Sequence, residues 1–201
     1  MAGIMKKFLG MSALLFAFVA GACDSSVTEP ARDQQKTDVK PVAVMDVDGS
    51  FYMLPPAKMY PSGTTVSAWI DSDGGTVQLG DFAALKVPGH AVWKHTLFTI
   101  QVVQNGYVEL QLSAKQWKDW KWVDVGSSGF YKPVYLFVNS AYANLNSTGM
   151  TSDGVNASRL TMLWEVDGTL GGTFENTSSI ANGGWVVSTL YHFSQYVMAS
   201  N

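Results

Sequence analysis

The sequence predicts an all-β fold, an antiparallel β-sandwich, set behind a cleaved lipoprotein signal peptide and a disordered tether. Three observations carry that prediction. Apolar and polar residues alternate in short runs such as "TVSAWI" and "TLFTIQVV", the period of a strand with one buried face. These runs end in clusters such as "DSDGG" and "QNG", the residue types of tight turns. Seven tryptophans accompany many Val, Leu, Tyr and Phe, a composition that suits pleated sheets, and no stretch beyond the leader carries helical periodicity.

The chain opens with Lys6 and Lys7, a continuous apolar run "FLGMSALLFAFVAG", and small residues before Cys23. That order is the pattern of a secretory signal peptide over residues 1–22, and the run is short for a permanent membrane span. Cys23 is the only cysteine, so no intramolecular disulfide can form. "VAGAC" resembles a bacterial lipobox, with Ala20 standing where a larger aliphatic residue is preferred. The expectation is an acylated Cys23 that holds the protein on a membrane of a bacterial cell envelope, the outer one in preference to the inner, facing the periplasm or exterior. Several acyl chains at about 0.8 kcal/mol per buried methylene make such an anchor effectively permanent. Asp24 would signal inner-membrane retention under the enteric sorting rule.

Residues 23–40 form the tether. "DSSVTEPARDQQKTDVK" is polar, charged and aperiodic, and a flexible chain of this length reaches a few tens of ångströms. Residues 41–64 are expected as an N-terminal extension packing on or near the domain, and residues 65–201 as the sandwich itself. A net charge of −3 with scattered lysines offers no basic stripe for nucleic acid.

The strands follow in order. "TVSAWI" stops at "DSDGG", "TVQLG" leads toward "ALKVPG", and "TLFTIQVV" stops at "QNG" before "YVELQLSA". "KPVYLFVNSAY", "RLTMLWEV", "TFENTSS" and a long final run "GWVVSTLYHFSQYVMA" come later, with "NSTGMTSDGVNAS" as a polar loop. Pro88 should lie at a strand end or sheet edge because it lacks an amide hydrogen, and Lys132-Pro133 should mark a strand start. Phe130, Tyr135 and Phe137 read as alternating core and surface positions.

Three segments in this order resemble the ZU-five domain, the β-sandwich module of ankyrins, tight-junction scaffolds and netrin receptors. They are "GGTVQLGDFAALKVPGHAVWKHTLFTIQVV", with Gly74-Gly75, Leu85, Val87 and Pro88 in place, then "GSSGFYKPVYLFV", then the closing "HFSQY". The resemblance spans about Ser67 to Met198, and "PGHAV" departs from the family's Pro-x-Gly-Ala-Leu. It implies a sandwich with a non-enzymatic structural or interaction role. In autoprocessed relatives His-Phe-Ser is a self-cleavage sequence. By that resemblance Ser194 would attack the Phe193 carbonyl through an N-to-O acyl shift with His192 as base, imidazole being a suitable base near neutral pH. The other reading of His192, Phe193 and Ser194 is a closing strand that buries Phe193 and leaves its two neighbours half exposed on the opposite face.

"QWKDWKW" places Trp117, Trp120 and Trp122 among Lys118 and Lys121. Exposed together, the three rings would form a platform able to stack on a glycan or dock on a protein partner. Alternation could instead bury Trp120 and Trp122, with Trp117 at a loop edge. "DSDGG" and "DVDGS" begin like calcium loops but lack the distant glutamate, so hairpin turns are expected there. His90 and His95 have no accompanying ligand pattern, and no metal or cofactor is expected. Asn146, Asn156 and Asn176 match a glycosylation pattern that a bacterial lipoprotein would not use. Neither a phosphate loop, a Ser-His-Asp set nor a carboxylate pair is legible, so no enzyme acting on another molecule is expected.

Overall fold

Alternation divides strands such as "TLFTIQVV" and "VYLFVN" into a face that leaves water and one that does not, and the strands bury their apolar faces by stacking two sheets. The computed structural model describes residues 43–46, 49–58, 60–103, 106–145, 159–166 and 174–200. The signal peptide, the tether with Cys23, and Asn146 and Asn156 lie outside the described residues. The described strands, in chain order, are β1 (Ala43–Asp46), β2 (Gly49–Met53), β3 (Thr65–Ile70), β4 (Gly75–Leu79), β5 (Ala83–Val87), β6 (Thr96–Val103) and β7 (Glu109–Lys118). They continue with β8 (Lys121–Asp124), β9 (Val134–Asn139), β10 (Leu160–Glu165), β11 (Phe174–Asn176), β12 (Ser178–Asn182), β13 (Trp185–Leu190) and β14 (Gln195–Ser200).

One sheet has nine strands, with β1-β2-β14-β7-β6-β3 as its main order, β10 and β11 attached through β14, and β8 attached to β7. The other has five strands in the order β12-β13-β9-β5-β4. All described pairings are antiparallel. The fold is therefore an all-β sandwich. Its core lies between the sheets, with Phe98, Ile100, Leu110 and Leu112 from the larger one facing Leu85, Val134, Leu136 and Val138 from the smaller.

Three expectations change. Residues 41–64, expected as an extension packing on or near the domain, supply β2 to its large sheet: β2 pairs with β14 through Ala199↔Met53 and Ser200↔Tyr52, and Leu54 is fully buried in the main core. The final run is two strands, because β13 belongs to the small sheet and β14 to the large one. A chain crossing between layers cannot remain in either ladder, so residues 191–194 form the link. "TFENTSS" breaks for the same reason at Thr177, whose amide and hydroxyl both donate to the Met162 carbonyl. "DSDGG" is likewise a corner between β3 and β4 of different sheets, not a hairpin.

Gly74 sits at that corner with φ +82, and a Cβ there would lie 2.6 Å from the Val87 carbonyl oxygen, so only glycine fits. Pro88 follows the last residue of β5, and Pro133 precedes the first residue of β9, as expected. In β9 the buried positions are Val134, Leu136 and Val138, while Tyr135 and Phe137 share the opposite, half-buried face. The aromatics thus take the outer face and the aliphatics the core.

Candidate functional site

The residues that stand out lie at one end of the larger sheet, where β7 outruns its neighbour. β6 begins at Thr96, and its pairing with β7 reaches Leu97↔Lys115. From Lys115 to Lys118 β7 pairs with β8, placing Trp117 directly opposite Trp122 and Lys118 opposite Lys121. Asp119 and Trp120 make the two-residue turn with φ of 50 and 62, both in the left-handed region that such hairpin turns require. Asp tolerates that region; a bulky residue in it is an outlier.

On this arm alternation sends Trp117 and Trp122 to the outer face of the sheet. Trp117 is 53 % exposed, Trp122 48 % and Trp120, at the tip, 91 %. The reading that buries Trp120 and Trp122 therefore does not hold. Trp69, 52 % exposed on β3, joins them: its ring stacks on Trp122 at 5.7 Å with 27° between planes. Trp117 meets Trp122 edge-on at 5.3 Å. His95 lies 6.2 Å from the Trp69 ring, and its Nε2 is 3.3 Å from an Asp71 carboxylate oxygen. The result is an open aromatic surface held by paired backbone on the three strands that carry it, β3, β7 and β8.

The inner face of the same arm lines a cleft of about 790 Å³. Gln116 fixes the arm there by donating to the Thr96 hydroxyl at 2.9 Å, and that hydroxyl donates to the Lys94 carbonyl at 2.7 Å. The cleft's other wall comes from three connections tied together by Tyr131 N–H donating to the Ala91 carbonyl and Phe130 N–H donating to the Tyr191 carbonyl. Trp93, Tyr131 and Tyr191 are all exposed along it. His90, at φ 64, holds its ring 5.0 Å from Trp93. His90 and His95 thus belong to different surfaces, and among the described residues no three His, Cys, Asp or Glu side chains gather for a metal.

His192, Phe193 and Ser194 lie in the link between β13 and β14. Phe193 is buried as expected, packed edge-on against Phe130 at 4.7 Å and Phe98 at 5.8 Å. Gly126 lies against it so closely that a Cβ would stand 3.1 Å from that of Phe193. The Phe193 amide donates to the Gly126 carbonyl at 2.9 Å. His192 packs its ring against Trp164 at 4.5 Å. The Ser194 hydroxyl donates to the Glu165 main-chain oxygen at 2.7 Å, so its proton points to a carbonyl and not to an imidazole. The Tyr196 hydroxyl donates to the His192 carbonyl and the Leu112 amide to that of Ser194, which pins the link on both sides of Phe193.

Trp69, Trp93, Tyr131 and Tyr191 were not legible as surface aromatics. For Trp69 a signal existed: parity in "TVSAWI" places it on the face opposite Ile70, which is the buried end of the strand. For the other three none did, because they lie in connections where alternation has no meaning. No family model matches this chain, and no curated protein matches it.

Proposed function

We propose that this chain is a lipid-anchored cell-envelope protein, held at a membrane by an acylated Cys23, whose ZU-five-like sandwich is a non-enzymatic binding module for polysaccharide. The contact surface is Trp69, Trp117, Trp120 and Trp122. One observation carries the reading: four tryptophans stand about half exposed or more at one end of the large sheet. Contiguous exposed aromatics oppose solubility and occur where a ligand covers them. Flat indole faces suit the apolar faces of pyranose rings, and strands fix ring positions before binding, which lowers the entropy lost on association. The arm also keeps Trp120 in a backbone conformation that favours glycine, a local cost that a ligand contact would explain.

The test is co-sedimentation of the detergent-solubilised full chain with insoluble glucan, chitin and peptidoglycan sacculi. Retention on at least one of them, lost in Trp117→Ala/Trp122→Ala, supports the reading. No retention on any, or retention unchanged in that variant, overturns it.

A further inference from the structure

The cleft on the inner face of the β7–β8 arm has a composition that the outer platform lacks. Its floor is apolar, with Val123, Val125 and Phe130. Its exposed rim offers the rings of Trp93, Tyr131 and Tyr191 for stacking. Ser127, Ser128 and Gln116 bring hydroxyl and amide groups to the same space. Lys94 and Lys118 also line it, and among the described residues no Asp or Glu does. The contact of His95 with Asp71 lies on the other side of the arm. In a chain of net charge −3, a concavity whose lining carries only positive formal charge is a local reversal of sign, and low-dielectric walls focus that field on an entering anion.

From this set we propose that the cleft binds an acidic saccharide, a uronate-bearing glycan segment. Ring faces of the sugar stack on Trp93 and Tyr131, hydroxyls meet Ser127, Ser128 and Gln116, and a carboxylate lies between Lys94 and Lys118. The saccharide is favoured over an acidic peptide because the rim pairs flat aromatic faces with hydroxyl and amide partners. The cleft is wide enough for sugar residues, lying in the usual volume range of small-ligand sites. The inference stands on its own residues and does not require the outer platform to bind anything.

The experiment is calorimetric titration of the full chain in detergent with three probes: oligogalacturonate, its methyl ester, and poly-glutamate of similar length. The methyl ester keeps the rings and removes the charge. Expected are binding of oligogalacturonate that weakens with added salt, and an affinity for the ester lower by about tenfold or more, the weight of one charge-assisted contact. Lys94→Ala/Lys118→Ala should bring oligogalacturonate down to the level of the ester, and Trp93→Ala should weaken both. Trp117→Ala/Trp122→Ala should leave this binding intact even where it abolishes retention on insoluble polysaccharide. No binding of oligogalacturonate, equal binding of acid and ester, or loss only in the Trp117→Ala/Trp122→Ala variant overturns the assignment. Binding of poly-glutamate as tightly as oligogalacturonate overturns the saccharide part. Unfolding curves of each variant matching the parent exclude loss of fold as the cause.

Discussion

Replacing Trp120 by glycine should make the protein more stable while removing the most exposed aromatic ring among the described residues. Trp120 has φ 62 at the second position of a two-residue hairpin turn, and a residue bearing a Cβ pays roughly 1–2 kcal/mol for the left-handed region. Glycine escapes that cost but loses about 0.5–1 kcal/mol through its greater freedom in the unfolded chain. The ring is 91 % exposed, so its removal forfeits little packing. The balance is a gain of about 0.5–1 kcal/mol, worth on the order of 1–4 °C in Tm for a domain of this size. The assay is urea and thermal unfolding of the parent, Trp120→Gly and Trp120→Ala. Alanine keeps the unfavourable φ and should give no such gain. Trp120→Gly less stable than the parent by about 1 kcal/mol or more would refute the reasoning, because it would mean that the indole is held by contacts and not merely displayed.

Three further outcomes follow from the packing. Phe193→Ala should cost about 3–5 kcal/mol in urea unfolding, the usual loss for a buried aromatic, since its ring joins Phe98 and Phe130 against Gly126. The Tyr142 phenol is pushed up to about 12, first by its hydrogen bond to Asp81 and then by burial. A group whose folded value is raised contributes stability that is complete below its unfolded value near 10 and is lost as pH climbs toward 12. Tyr142→Phe should therefore flatten the fall in stability between pH 10 and 12, and an unchanged slope would contradict the account. Ser194→Ala removes the bond to the Glu165 carbonyl and should cost about 0.5–1.5 kcal/mol. Intact mass under denaturing conditions should show no loss of residues 194–201 in either parent or variant after a day at neutral pH. Loss in the parent alone would establish self-cleavage instead.

Period-two alternation placed many of the strands: "TVSAWI" and "TLFTIQVV" became β3 and β6 residue for residue, while β1, β2 and β8 went unread. It was silent on which sheet each strand joins. Asp71–Gly74, Thr177 and residues 191–194 are crossings between layers, and each is made by contacts distant in sequence, such as Thr177 with Met162 and Phe193 with Gly126. The closing strand also hid a second burial. Val197 and Ala199 pack with Phe51, Met53 and Leu163 on the outer face, so β14 is covered on both sides. The tryptophan segment was legible in composition, but its exposure depended on β7 extending past the start of β6. Trp93, Tyr131 and Tyr191 could not be gathered from sequence, because the loops bearing them meet only through the sandwich's end.

The measurement that bears most directly on the central claim is the affinity of the full chain for the insoluble polysaccharide that retains it, determined by depletion for the parent, Trp117→Ala/Trp122→Ala and Lys94→Ala/Lys118→Ala. The platform account predicts a loss of about tenfold or more when the two stacking rings are removed, with the lysine variant unchanged on a neutral polymer. Equal depletion by all three proteins would contradict it, placing the ligand away from Trp117 and Trp122.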